Sequence, residues 1–199
     1  MSEARQDLAV TARVVIGDPP AIDLACQVAV IGGGACGLTA AIWARRHGAD
    51  EVLVLERDAS SSGSTALSSG FVPAAGTSMQ RACGIDDSAA IFASDIDAKA
   101  HGSADRMLAD LYTTEIAGVV ETLARDYELP FAVLEGFLYP GHSAARMHTV
   151  AQRTGAALVA GLLAAAAKAQ VDCVNNAHVQ QLFVDGSRRV TALGIARPD

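Results

Sequence analysis

Gly32, Gly34 and Gly37 stand at G-x-G-x-x-G spacing inside V-A-V-I-G-G-G-A-C-G-L, and Glu56 follows further along the chain. Each glycine has a separate chemical reason. The first permits a tight turn, the second lets a pyrophosphate approach the backbone, and the third lets a helix lie close on a strand. The helix that opens there aims unsatisfied amides and its dipole at the phosphates. An acid about 20 residues on can bind ribose hydroxyls. Dinucleotide binding is therefore expected, against the bland alternative of a purely structural turn. The fingerprint alone does not choose between FAD and NAD. Arg57, next to Glu56, could suit a 2′-phosphate, but an acid at the ribose position opposes that extra charge.

His142, Arg146, His148 and Arg153 form the only dense polar constellation. They could face a flavin or an anionic, carboxylate-like substrate as a cluster of cations. They could equally be a solvated loop ahead of a helix. The two histidines have no third ligand at a zinc-like spacing. Cys36 lies within the glycine loop, where a small side chain is needed beside phosphates, so a structural role outweighs a redox one. Ser64, Ser68 and Ser69 have no G-x-S-x-G context, which removes the case for a hydrolase nucleophile. Trp43 and Phe92 sit on expected helices and read as packing rather than flavin stacking. His47, just ahead of Gly48, reads as a helix-end cation.

The elements that must hold these residues follow from the pattern. Gln27 to Ile31 reads as a buried strand, apolar on both faces as a central parallel strand must be. Leu38 to His47 reads as a helix closed by Gly48, and Glu51 to Glu56 as a second strand. Strand, glycine turn, helix and strand make a βαβ unit. Residues 58–77 have the composition of a flexible linker, but Leu67, Phe71 and Val72 argue for an ordered loop rich in hydroxyls and amides. Helices are expected from Asp87 to Ala100 and from Ser103 to about Tyr127. The second carries an apolar stripe of Met107, Leu108, Leu111, Val119, Val120 and Leu123. A loop with Gly136, Pro140 and Gly141 leads into the polar stretch His142 to Arg153. Thr154 to Ala169 reads as an Ala-rich helix. Asp172 to Asn175, His178 to Val184 and Arg189 to Ala196 read as strands, with a turn at Asp185-Gly186. Residues 1–25 read as an N-terminal extension with one β-prone run, Ala12 to Ile16. Residues 26–199 then form the nucleotide-binding domain.

Composition bounds the function. With 199 residues, 51% hydrophobic and 19% charged, the chain can build a core and is not disordered. Fifteen Lys and Arg against 22 Asp and Glu, net −7, leave no basic excess for nucleic acid. The longest apolar run, Ala156 to Ala167, is shorter than the roughly 20 residues of a membrane span. Met1 to Asp7 carries acids and no apolar stretch, unlike a secretory signal. Cys26, Cys36, Cys83 and Cys173 are scattered without a C-x-x-C pair, against zinc and against a disulfide framework. A reducing, cytoplasmic compartment is expected.

V-A-V-I-G-G-G-A-C-G-L-T-A-A-I-W-A, then L-E-R, then G-S-T-A-L-S-S-G-F-V-P-A-A-G-T resembles the FAD-binding domain of the fumarate reductase/succinate dehydrogenase flavoprotein family. Its soluble members include fumarate reductases and 3-ketosteroid dehydrogenases. The resemblance covers about residues 26–196. It implies a Rossmann-like α/β FAD-binding domain with a helical segment and C-terminal strands. It also implies cofactor contacts from Gly32, Gly34, Cys36, Gly37, Glu56, Arg57, Ser64, Thr65, Ser69, Gly70 and Val179. Val179 is similar to a valine whose backbone touches adenine. The Ala74-Ala75-Gly76-Thr77, H-S-x-x-R-x-H and R-T-G-A segments carry the likeness onward.

The succinate dehydrogenase branch tethers flavin through a histidine in the Ser/Gly segment, and no histidine lies between Gly48 and Lys99 here. Noncovalent FAD is implied. In the family the substrate-capping domain and the C-terminal return come after the point where this sequence stops, together with most catalytic residues. The expectation is therefore an incomplete domain, inactive alone, inclined to self-associate, with no catalytic residue assignable. The implied reaction moves a hydride at a C–C bond next to a carbonyl or carboxylate, on a small anionic or ketone substrate. The alternatives are a non-catalytic dinucleotide-binding fragment and an NAD(P)-binding domain.

Overall fold

The computed structural model describes residues 13–198. In chain order the elements are β1 (Arg13–Ile16), β2 (Val28–Ile31), α1 (Ala35–Arg46), β3 (Val52–Leu55), α2 (Ser64–Leu67), β4 (Val72–Pro73), α3 (Ser78–Ala82), α4 (Ala89–Lys99) and α5 (Arg106–Tyr127). They continue with β5 (Ala132–Val133), β6 (Met147–Thr149), α6 (Gly155–Lys168), β7 (Asp172–Val174), β8 (His178–Val184) and β9 (Val190–Ala196). The chain divides into two compact units, one of residues 1–61 and 170–199, the other of residues 62–169.

In the first unit, β2, β3 and β7 form a parallel sheet in the order β2-β3-β7. β3 is the central strand, and its V-L-V-L run is buried at every position. The expectation that the strand at 27–31 is central needs correction. Its burial alternates, Ile31 is 57% exposed, and among the described residues its second edge has no partner. Apolar residues on both faces do not reveal which strand has neighbours on both sides. α1 packs on β2 and β3, burying Leu38, Ala41 and Ile42 completely. Beside β2 lies a groove of about 770 Å³ lined by residues 21–29 and Ile31, by Leu53 and Leu55, and by β9.

The second sheet of this unit has the order β1-β8-β9. β1 pairs parallel with β8, Arg13 opposite Gln181, and β8 and β9 form an antiparallel hairpin. Residues 13–16 are thus a strand of the same unit as the βαβ element. Ala12, the first residue of the expected β-prone run, lies outside the described residues.

The second unit is built on a small antiparallel sheet, β4-β6-β5, with five helices. Thr77, Ser88, Asp105 and Thr154 each cap the helix that follows with a side-chain oxygen. The apolar stripe expected along α5 is only half used. Val120 and Leu123 are buried, whereas Met107, Leu108 and Leu111 are exposed. A glycine inside α5 offers a stability test. A Cβ on Gly118 would meet nothing within 4 Å. Gly118→Ala is expected to stabilise the chain by about 0.5–1 kcal/mol, through propensity alone, in urea denaturation. Among the described residues no helix is long and apolar enough to cross a membrane.

Candidate functional site

The glycine loop joins β2 to α1 through a strained turn. Gly32 has φ +102°, a conformation that side chains rarely adopt, and its N–H donates to the Leu55 carbonyl at 2.8 Å. Gly34 is the N-cap of α1, with φ −79° and ψ −178°. No side chain caps this helix, and its first turn carries no acid. The positive end of its dipole favours an anion there. At Gly37 an added Cβ would sit 2.0 Å from the Gly32 carbonyl oxygen and 3.2 Å from Val30 Cγ1. Only glycine lets α1 lie this close to β2. Cys36, the second residue of α1, is exposed.

Glu56 follows β3 and is pinned on its backbone by two bonds. Its N–H donates to the Val174 carbonyl, and its carbonyl accepts the Ala177 N–H, both at 2.8 Å. Each carboxylate oxygen takes one backbone amide, Oε2 that of Gly33 at 2.8 Å and Oε1 that of Asp58 at 3.0 Å. A carboxylate oxygen has two lone pairs, so each can still accept a further hydrogen bond. The neighbouring Arg57 points its guanidinium at Asp58, 3.2 Å from Nε to Oδ1, at the surface. Val179, on β8, packs against the cluster of Leu53, Leu55 and Ala177.

The spacing rule passes over Gly33, where any side chain would push Ser61 and Glu56 aside. Its Cβ would come 2.6 Å from Ser61 Oγ and 3.2 Å from Glu56 Oε2. The run of three glycines was the available signal. These features fit a dinucleotide: a glycine turn into a helix N-terminus, a close approach of helix and strand at Gly37, and an oriented acid.

In the second unit the Ser/Gly segment is ordered. Ser64 and Thr65 begin the short α2, and Ser69 lies exposed just past it. Gly70 is buried at φ +66°, where a Cβ would meet the Thr154 carbonyl oxygen at 2.5 Å. From the other side, a Cβ on Gly155 would lie 1.7 Å from the Thr65 carbonyl oxygen. The Gly155 N–H donates to the Ser68 carbonyl at 2.7 Å. Backbone meets backbone here with no side chain between. The R-T-G-A start of α6 thus has a steric meaning that spacing did not express.

The polar constellation is neither a display of cations nor a solvated loop. Arg146 is completely buried. Its Nε and Nη2 donate to the two oxygens of Asp87 at 2.9 and 3.0 Å, and Nη1 donates to Asp95 Oδ2 at 2.6 Å. Its guanidinium carbon lies 4.5 Å from the centre of the Phe92 ring. Burial pushes the Asp95 carboxyl up, but the Ser143 amide, the Ser143 hydroxyl and Arg146 together hold it below its ordinary value. His148, on β6, is also fully buried, and burial lowers its pKa below the ordinary histidine value. His142 is lowered too, by burial and then by Arg146, with its ring against Phe92 and Tyr139. Arg153 is exposed on the turn ahead of α6. The charge of Arg146 is matched inside the protein, so Arg146, His148 and Thr149 belong to a buried polar core. Gln80 joins the same core, its amide nitrogen donating to Asp87 Oδ2 and to the Ala145 carbonyl at 2.9 Å each.

Comparison with known proteins agrees with this geometry. Residues 27–198 match the family described as FAD binding domain. The flavoprotein subunit of acrylate reductase from Shewanella woodyi is 31% identical over 165 residues, 82% of this chain and 32% of that protein. L-Aspartate oxidase from Caulobacter vibrioides is 35% identical over 172 residues, again 82% and 32%. The chain thus spans about a third of the length of the curated relatives it matches. The crystal structure of a 3-ketosteroid-Δ4-(5α)-dehydrogenase from Rhodococcus jostii RHA1, in complex with 4-androstene-3,17-dione, superimposes with a TM-score of 0.76. It is 28% identical, and the match covers 89% of this chain and 43% of that one. The glycine turn, the oriented Glu56 and these likenesses converge on one cofactor, FAD. The chain belongs to the FAD binding domain family.

Proposed function

We propose that this chain holds FAD noncovalently as part of an oxidoreductase acting at a C–C bond next to a carbonyl or carboxylate. The single observation that carries the cofactor half is the pairing of the glycine turn into α1, where Gly37 has no room for a Cβ, with Glu56, whose two oxygens each hold one backbone amide. Gly32, Gly34, Cys36 and Gly37 supply the diphosphate turn, and Glu56 takes the ribose, with Arg57 flanking it. Val179 serves the adenine end through its backbone. Ser64, Thr65, Ser69 and Gly70 supply hydroxyls and amides to the same cofactor. FAD, when bound, supplies the hydride acceptor or donor, and the protein's work is to bind and orient it.

The substrate class rests on the similarity to acrylate reductase and to a ketosteroid dehydrogenase, one a carboxylate enzyme by name and the other solved with a ketone. A small anionic or ketone substrate follows. Self-association belongs to the same reading, because β2 offers an unpaired edge beside the apolar groove.

The test is retention of flavin. Acid precipitation of the purified chain is expected to leave free FAD in the supernatant. Gly34→Val is expected to abolish retention with the circular dichroism unchanged. Its extended backbone tolerates valine, while the branched side chain occupies phosphate space. Normal retention by that variant, or binding of NAD without FAD, would overturn the reading.

A further inference from the structure

Resting on the FAD reading of residues 64–70 given above, we propose that His148 is a positioning residue for the cofactor. Its protonation loosens the segment from Gly70 to Thr77 and releases FAD. His148 lies across the β4–β6 ladder from Val72, two residues past Gly70. The Ala74 N–H donates to the Arg146 carbonyl at 2.9 Å, so the segment is stitched to the strand that carries the histidine.

Both ring nitrogens are engaged. Nδ1 lies 3.0 Å from the Arg146 carbonyl oxygen, which can only accept, so Nδ1 carries the hydrogen. Nε2 therefore accepts, and its partner at 2.9 Å is the Thr77 hydroxyl. The Thr77 oxygen in turn takes the Gln80 N–H at 3.0 Å, while Gln80 Oε1 takes the N–H groups of Gly76 and Thr77. Thr77, Gln80 and His148 have no exposed surface. One hydroxyl thus ties the capping box of α3 to β6.

A proton on Nε2 reverses that bond. Nε2 then donates, to the Thr77 oxygen or to the Val72 carbonyl, and no longer accepts the Thr77 hydrogen. The hydroxyl hydrogen is left in a dry interior without an acceptor. Charged groups near the ring pull in both directions. Glu121 of α5 and Asp87, ahead of α4, favour the cation. Arg146 adds a positive charge already matched by Asp87 and Asp95. Burial outweighs the Arg146 and Val72 carbonyls and the two carboxylates, and holds the ring below its ordinary pKa.

FAD affinity of the full chain, read by quenching of flavin fluorescence, is expected to weaken at least about tenfold between pH 8 and pH 5. The far-UV circular dichroism stays constant over that range. His148→Gln, whose amide oxygen takes the Thr77 hydrogen and does not titrate, gives a profile without the acid limb. Thr77→Val binds weakly and flatly from pH 8 downward, and Thr77→Ser restores the acid limb. His142→Asn keeps it. A flat profile in the unmodified chain, an acid limb surviving in His148→Gln, full affinity in Thr77→Val, or loss of dichroism in step with FAD overturns the proposal alone. Absence of FAD binding by the unmodified chain at pH 8 overturns the functional reading as well.

Discussion

Arg146→Met is expected to destabilise the chain by about 3–5 kcal/mol, a drop of about 10 °C in thermal unfolding. The side chain is fully buried and holds two carboxylates, one of them also fully buried. Removing the guanidinium leaves Asp87 charged in a dry interior with only Gln80 and the Ser88 amide for company. A methionine fills the volume, so the loss reports electrostatics rather than a cavity. Arg146→Lys is expected to recover little. A single ammonium cannot meet both oxygens of Asp87 and reach Asp95 as the planar fork does. Stability of Arg146→Lys within 1 kcal/mol of the unmodified chain would show that the fork geometry is not what holds these elements.

Gly37→Ala is expected to lower FAD affinity by about 100-fold and to destabilise the chain by about 1–3 kcal/mol. The new Cβ stands 2.0 Å from a backbone oxygen, far inside contact distance. That oxygen belongs to Gly32, whose own φ of +102° fixes the turn. Neither atom can yield without moving α1 off β2 and displacing the amides that face the phosphates. Gly186→Ala, where an added Cβ meets nothing within 4 Å, is the matched control and is expected to change neither quantity. Equal FAD affinity of Gly37→Ala and the unmodified chain would place the diphosphate elsewhere.

The residues differ in how far their type betrays their role. Gly32 and Gly37 are readable because the backbone itself demands glycine, and spacing then reports geometry directly. Glu56 is readable because its place after an apolar strand is fixed by the period of that strand. Ile31 is not, since an apolar residue does not say whether a neighbouring strand covers it. β6 is missed for the opposite reason. Met147-His148-Thr149 is buried throughout, yet its polar residues belong inside only because Thr77, Asp87 and Asp95 come from distant positions to satisfy them and the adjoining Arg146. Polar cores are built from pairings, and pairings are not local. The exposed Met107, Leu108 and Leu111 make the same point for helices, where a stripe shows a face and not what lies against it.

The two units are threaded unequally along the chain, and this sets an order in time. Residues 62–169 are contiguous, so every contact of that unit closes within one stretch of polypeptide. The other unit is interrupted. Arg13 of β1 waits for Gln181, and Leu53 of β3 for Asp172. Loop closure over such separations is slow, and during synthesis the later partners emerge last. The interrupted unit therefore gains its outer strands only after the contiguous one is able to fold. Until then β3, the most buried strand of its sheet, has β2 for company and an open edge where β7 will dock. That interval is when this chain is most exposed to aggregation.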